Sequence, residues 1–116
     1  MASLRPDAIQ LFDRTREVHV SAPGKRVPIW AVVVDDEAYV RSYKGERGGW
    51  YRRALRDGRM TLEGVDVRVE PEHDTALNER ISEAFRAKYG ARSAGSTEAM
   101  VTPEVVATTL RLSRAD

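Results

Sequence analysis

The chain has no cysteine, only two histidines, and no apolar run long enough for a membrane span. Without cysteine there are no disulfides, thiolate nucleophiles, zinc–thiolate sites or iron–sulfur clusters. His19 and His73 do not form the i, i+4 pair of a helical metal site, so no metal is expected. His73 sits beside Glu70, Glu72 and Asp74 in a loop reading, which offers adventitious metal binding at most. A membrane span needs about 18 consecutive apolar residues. The segment Met1-Ala2-Ser3-Leu4-Arg5-Pro6 lacks the apolar core of a secretory signal. No membrane partner is expected, and the expected location is cytoplasmic. An excess of one charge sign is also missing: 19 basic and 18 acidic residues leave a net charge of +1. Nucleic-acid binding, which favours a strongly basic domain, is not expected. No serine lies in a nucleophile elbow, and Asp35-Asp36-Glu37 reads as a hairpin turn rather than a catalytic carboxylate pair. Catalytic residues stay unassigned at this level.

What is present is 41% hydrophobic and 32% charged residues in 116. That composition fits a soluble globular α+β domain. The length fits one domain over residues 1–116, since domains run roughly 100–200 residues. A chain of this size folds to a radius of gyration of about 13 Å. It has little room to enclose a large cofactor, which would lie more easily on a surface or between two subunits.

Periodicity predicts helices over Pro6 to Arg14, Trp50 to Arg56 and Thr75 to Tyr89. It predicts strands over Glu17 to Ser21, Val27 to Val34, Ala38 to Tyr43, Arg59 to Glu63 and Val65 to Glu70. Thr102 to Leu112 reads as a closing strand. Ala91 to Ala99, rich in small and polar residues, reads as a loop. Val27 to Val34 is nearly continuous in apolar residues, so both of its faces should be covered. Turns are expected over Ala22-Pro23-Gly24-Lys25-Arg26, marked by Pro-Gly, over Asp35-Asp36-Glu37 and around Glu63-Gly64, and Gly58 should close the Trp50 helix in a left-handed conformation. Six strands in antiparallel hairpins with about three flanking helices point to an antiparallel barrel, because closure removes exposed edges.

The sharpest local feature is the basic strand-to-helix turn Ser42-Tyr43-Lys44-Gly45. Ser42, Lys44, Arg47, Arg52 and Arg53 gather one hydroxyl and four cations in a short span. Gly45, Gly48 and Gly49 allow a ligand close to the backbone. A helix beginning near Trp50 would aim N–H groups at the same region, which suits phosphate. A solvated basic helix behind a glycine-rich loop would have the same composition. At least one of Trp50 and Tyr51, and Trp30 likewise, reads more readily as a core anchor than as a ligand platform. Lys25 and Arg26 read as ordinary turn cations unless a pocket gathers them.

The run Ile29-Trp30-Ala31-Val32-Val33-Val34, then Tyr39-Val40-Arg41-Ser42, Lys44-Gly45 and Trp50-Tyr51-Arg52-Arg53-Ala54-Leu55 resembles the flavin-binding split β-barrel superfamily. That group includes pyridoxamine phosphate oxidase and the deazaflavin-dependent nitroreductases. Within it the chain looks nearest to the uncharacterised bacterial DUF2255 proteins. The resemblance implies a six-stranded antiparallel split β-barrel and a homodimer with a cofactor groove at its interface. It implies FMN or a deazaflavin coenzyme as cofactor, and hydride transfer to a small organic substrate. By position, Ser42 and Lys44, helped by Arg52, would hold the cofactor phosphate. Val27, Pro28, Ile29 and Trp30 would run beside the ring and offer backbone groups to its polar edge. Lys25 and Arg26 match a basic turn near the cofactor tail, and Trp50 and Tyr51 match the aromatic pair opening the helix. Tyr89 is a candidate proton donor or ring contact, or a tyrosine packed at a subunit interface. The turn between the first two strands is short, and no N-terminal substrate-covering helix is visible.

Two other functions remain open on the residues alone. One is a non-catalytic module using the groove for a different phosphorylated small molecule. The other is a structural or interaction protein whose basic helix meets an acidic partner.

Overall fold

In the computed structural model, which describes residues 2–115, the chain runs α1 (Pro6–Arg14), β1 (Val18–Ala22), β2 (Lys25–Ile29), β3 (Ala31–Val34) and β4 (Glu37–Val40). A 3-10 turn (Gly45–Arg47) leads into α2 (Gly49–Asp57), β5 (Arg59–Leu62) and β6 (Val65–Pro71). Then follow α3 (Thr75–Tyr89), α4 (Ala94–Met100), α5 (Pro103–Val106) and β7 (Leu110–Arg114). Met1 and Asp116, part of the single-domain span expected from the sequence, lie outside the described residues. No helix among them is long and apolar enough to cross a membrane.

The seven strands form one antiparallel sheet in the order β2-β1-β5-β6-β7-β4-β3. The sheet curls into a half-barrel. Its two margins, β2 and β3, are consecutive in the chain and separated only by Trp30. Two-residue loops set the hairpin registers. Asp35 and Asp36 both have positive φ (52° and 61°), as do Glu63 and Gly64 (50° and 78°). That is the twist-matched geometry of tight hairpins, and it pairs Val34 with Glu37 and Leu62 with Val65.

Strand alternation divides the core in two. Ala31, Ala38 and Val40 face the barrel interior with Phe12, Val18, Leu62, Val67, Leu110 and Leu112. Val32, Val34 and Tyr39 face outward and are covered by Ile81, Phe85 and Tyr89 of α3, Met100 of α4 and Val105 of α5. β3 and β4 are therefore covered on both faces, which meets the expectation for the Ala31–Val34 part of the apolar run. It fails for the earlier part, in the margin strand β2, where Pro28 is exposed and Val27 half-buried. α3 is started by Asp74, whose side chain accepts the Leu77 N–H at 2.8 Å.

The α+β class and the antiparallel, barrel-like sheet agree with the sequence reading, but the element count differs. There are seven strands and five helices among the described residues, not six and about three. The run Val27 to Val34 breaks at Trp30, where Tyr89 and Lys88 of α3 take over the backbone bonds of Ala31. The Tyr89 hydroxyl accepts the Ala31 N–H at 3.2 Å, and Lys88 Nζ donates to the Ala31 carbonyl at 2.7 Å. The strand expected to reach Tyr43 stops at Val40, because Ser42 N–H turns to Thr108 Oγ1 at 2.9 Å. The expected loop over Ala91 to Ala99 contains α4, which buries only Thr97 and Met100. The expected closing strand from Thr102 begins instead with α5, because Pro103 at its start fixes a helical φ. Thr108 and Thr109 then close that turn by donating to the Val105 and Val106 carbonyls at 2.6 and 2.7 Å.

Candidate functional site

A groove of about 450 Å³ opens where the half-barrel is incomplete. One wall is the free margin of β2 with Trp30. The second is the segment from Arg41 to Lys44 with the start of α2, and the third is α4 through Ser96 and Met100.

The β2 wall follows from ladder alternation. His19 of β1 turns both backbone groups toward the β5–β6 hairpin. Its N–H reaches Glu63 Oε2 at 2.8 Å, and its carbonyl accepts the Glu63 N–H at 2.8 Å. Its partner across the pair is Pro28, so the Pro28 carbonyl points away from β1, to the free margin. The backbone of Arg26, two residues earlier, does the same. A proline costs no ladder bond at that position.

The opposite wall is held by Ser42. Its hydroxyl donates to the Gly45 carbonyl at 2.7 Å, inside a turn where Gly45 has φ 68°. A Cβ on Gly48 would lie 2.3 Å from Ser42 Oγ, so only glycine fits beside that hydroxyl. Gly48 leads into α2 with no side-chain cap and no acidic residue in the first turn. The N–H groups of a first helical turn lack intrahelical partners and favour anions. A Cβ on Gly49 would lie 3.4 Å from Arg53 Nη1, which puts that guanidinium over the helix start. Gly58 closes α2 at φ 71°, donating to the Ala54 carbonyl at 2.7 Å.

The groove gathers Lys25, Val27, Pro28, Ile29, Trp30, Ser42, Lys44 and Trp50 from the residues expected at the site. Three others lie outside it. Arg26 reaches Glu63 Oε1 at 3.5 Å with its side chain. Tyr51 is buried in the barrel core and meets the Trp50 ring edge-on at 6.2 Å. Arg52 is exposed on α2 and does not line the groove. Tyr89 is fully buried, with its hydroxyl donating to the Arg16 carbonyl at 2.7 Å. Burial pushes its phenol up to about 12, and it reaches neither the groove nor the surface.

The groove's charge is lopsided. Lys25, Arg41, Lys44 and Arg53 line it against one carboxylate, Glu17. Among the described residues, Lys25, Lys44 and Arg53 make no ion pair. Arg41, Glu17, Tyr43, Ser96 and Met100 were not legible as site residues. Arg41 is buried, and its guanidinium donates from Nε to Thr109 Oγ1 at 2.8 Å and from Nη1 to Ser82 Oγ at 2.9 Å. Burial, then the nearby Arg86 cation, lowers its pKa to about 10. Among the described residues no group of three or more His, Asp or Glu side chains is arranged for a metal ion.

This combination suits an elongated ligand with an anionic end and an apolar or aromatic body. Comparison with curated proteins and with solved structures found no match. A family profile does match, over residues 8–112, and its description is an uncharacterized protein conserved in bacteria. The chain belongs to that family, DUF2255.

Proposed function

We propose that the groove binds a phosphorylated, ring-bearing redox cofactor of the FMN or deazaflavin type, and that the protein acts as a reductase on a small organic substrate. The observation that carries this reading is the meeting of three unpaired cations, Lys25, Lys44 and Arg53, with the uncapped start of α2 on one groove. The facing wall is apolar and aromatic. The volume of about 450 Å³ lies within the range of about 300–1,000 Å³ common to ligand pockets.

In this reading Lys44, Arg53 and the α2 start hold the phosphate, next to the Ser42 turn. Pro28, Ile29 and Trp30 flank the ring, and the outward Pro28 carbonyl meets its polar edge. When bound, such a cofactor supplies the hydride that reduces the substrate. The chain's own residues bind, orient and shield. Little acid–base machinery is needed, and Glu17 is the one carboxylate lining the groove. A second copy of the chain would cover the open side of the groove, so we include a homodimer and a cytoplasmic location in the proposal.

The test is absorbance and calorimetry of the purified protein with FMN and with a deazaflavin coenzyme, separately. At least one should bind, and Lys44→Ala should weaken it about tenfold, the effect of losing one charge-assisted phosphate contact. No measurable uptake of any flavin or deazaflavin by the intact protein sinks the reading. One observation favours a non-catalytic variant of it: the Ser42 hydroxyl is spent on Gly45 and the Tyr89 hydroxyl on Arg16. A binding module of that kind would take up the phosphorylated ligand without turnover by any reductant.

A further inference from the structure

Arg41 is the largest fully buried side chain of the described residues, with 1% exposure. Its five N–H donors all find oxygen. Besides Thr109 and Ser82, they reach the Met100 carbonyl at 3.1 Å and both the carbonyl and Oδ1 of Asn78 at 3.1 Å. Every one of these acceptors is neutral. No carboxylate bonds the guanidinium, and the other charge that perturbs it is a second cation, Arg86. The hydrogen bonds are complete, yet the charge is uncompensated. Buried arginines are normally paired, because an ion in a weakly polarisable interior is costly without a counter-charge.

The same residue forms part of the groove wall, between the apolar β2 margin and the Lys44 turn. Its fork is tied to α3, α4 and the Thr108–Thr109 turn, so the charge cannot swing out to water. Charge fixed beneath a concave wall is screened far less than charge on an open surface.

We infer that the missing counter-ion is the ligand's own anionic group, and that Arg41 is a positioning charge making the groove prefer a phosphate monoester over an uncharged relative. This rests on the groove being the ligand site proposed above, and it adds the residue that sets the preference without touching the ligand through its N–H groups. Lys44 and Arg53 supply direct contact. Arg41 supplies a fixed field and keeps α4 against the groove.

FMN and riboflavin share a ring and differ by the phosphate, so the ratio of their dissociation constants is the readout. Inorganic phosphate is the ring-free probe. In Arg41→Met the ratio should fall about tenfold, the size of one partly screened charge interaction. Arg41→Lys, which keeps the charge and loses the fork, should retain most of it. A ratio in Arg41→Met within about twofold of the native protein, or an equal fall in Arg41→Lys, overturns the inference. If Arg41→Met does not fold, the native protein decides. Phosphate should raise its Tm more than chloride at the same ionic strength, and an equal rise overturns the inference. If neither flavin binds, the cofactor reading fails, and this inference stands only where phosphate stabilises the native protein and Arg41→Lys but not Arg41→Met. If FMN binds and the ratio ignores Arg41, the reverse holds.

Discussion

The indole of Trp30 lies flat against the phenol of Tyr89, with ring centroids 4.0 Å apart and planes 2° from parallel. Trp30 is the single residue between the two margin strands, and Tyr89 closes α3. The stack therefore pins the join of the sheet to the helix that covers its outer face. The Tyr89 hydroxyl serves the same join by bridging Ala31 N–H and the Arg16 carbonyl.

Tyr89→Phe keeps the stack and deletes the bridge. The buried Ala31 N–H then loses its partner, which should cost about 1–3 kcal/mol of stability. Urea unfolding measures this directly. An unchanged midpoint with an unchanged slope would show that the bridge contributes nothing.

Lys88 sets a pH dependence. Burial lowers its pKa to about 8 from the ordinary 10.5, while its Nζ donates to the Phe12 and Ala31 carbonyls. Between those values the unfolded chain holds the proton more tightly than the folded one, so stability rises with pH. Tyr89, raised from 10.0 to about 12, opposes this above pH 10. From pH 8 to 10 the native protein should thus gain Tm relative to Lys88→Met. Parallel Tm curves for the two proteins across that window would refute the assignment.

Gly48 and Ser42 should be energetically coupled. Gly48→Ala drives a methyl into Ser42 Oγ and should cost about 1–3 kcal/mol, as overpacking does. In a Ser42→Ala background the added Cβ meets the Cβ of residue 42 and the Gly45 carbonyl oxygen, each at an ordinary 3.5 Å. The second substitution should then be much milder. A double-mutant cycle by chemical unfolding reads the coupling, and additive values would contradict the close approach.

Three neighbouring basic and aromatic residues should separate by phenotype. Tyr51→Ala, in the barrel core, should lose about 3–5 kcal/mol of stability. Arg52→Ala, on the exposed face of α2, should stay within about 0.5 kcal/mol and leave ligand affinity unchanged. Lys44→Ala should spare stability and weaken phosphate-dependent binding. Calorimetry beside unfolding curves distinguishes the three, and an Arg52→Ala loss matching that of Lys44→Ala would move the binding wall onto the helix face.

How legible this was in the sequence varied by region. Val18 and Val20, the turns at Asp35-Asp36 and Glu63-Gly64, and the left-handed Gly58 were readable because local rules dominate there. The break at Trp30 was not, since it depends on side chains of Lys88 and Tyr89 arriving from far along the chain. α4 escaped because Ala94–Met100 buries only Thr97 and Met100 and so carries no apolar stripe. α5 had a readable start in Thr102-Pro103, outweighed by the valines that follow. At the site, Lys25, Trp30, Ser42, Lys44 and Trp50 stood out, whereas Arg41 did not. An arginine at the end of a strand reads as solvated, and only the fold reveals that this one is enclosed.

Both tryptophans of the chain, Trp30 and Trp50, line the groove. The protein's indole emission, excited selectively at the red edge of the absorption band, therefore originates wholly at the place where a ligand would enter. Even a colourless molecule settling there would alter the surroundings of both emitters, so occupancy of the groove can be followed without a label or a cofactor's own colour.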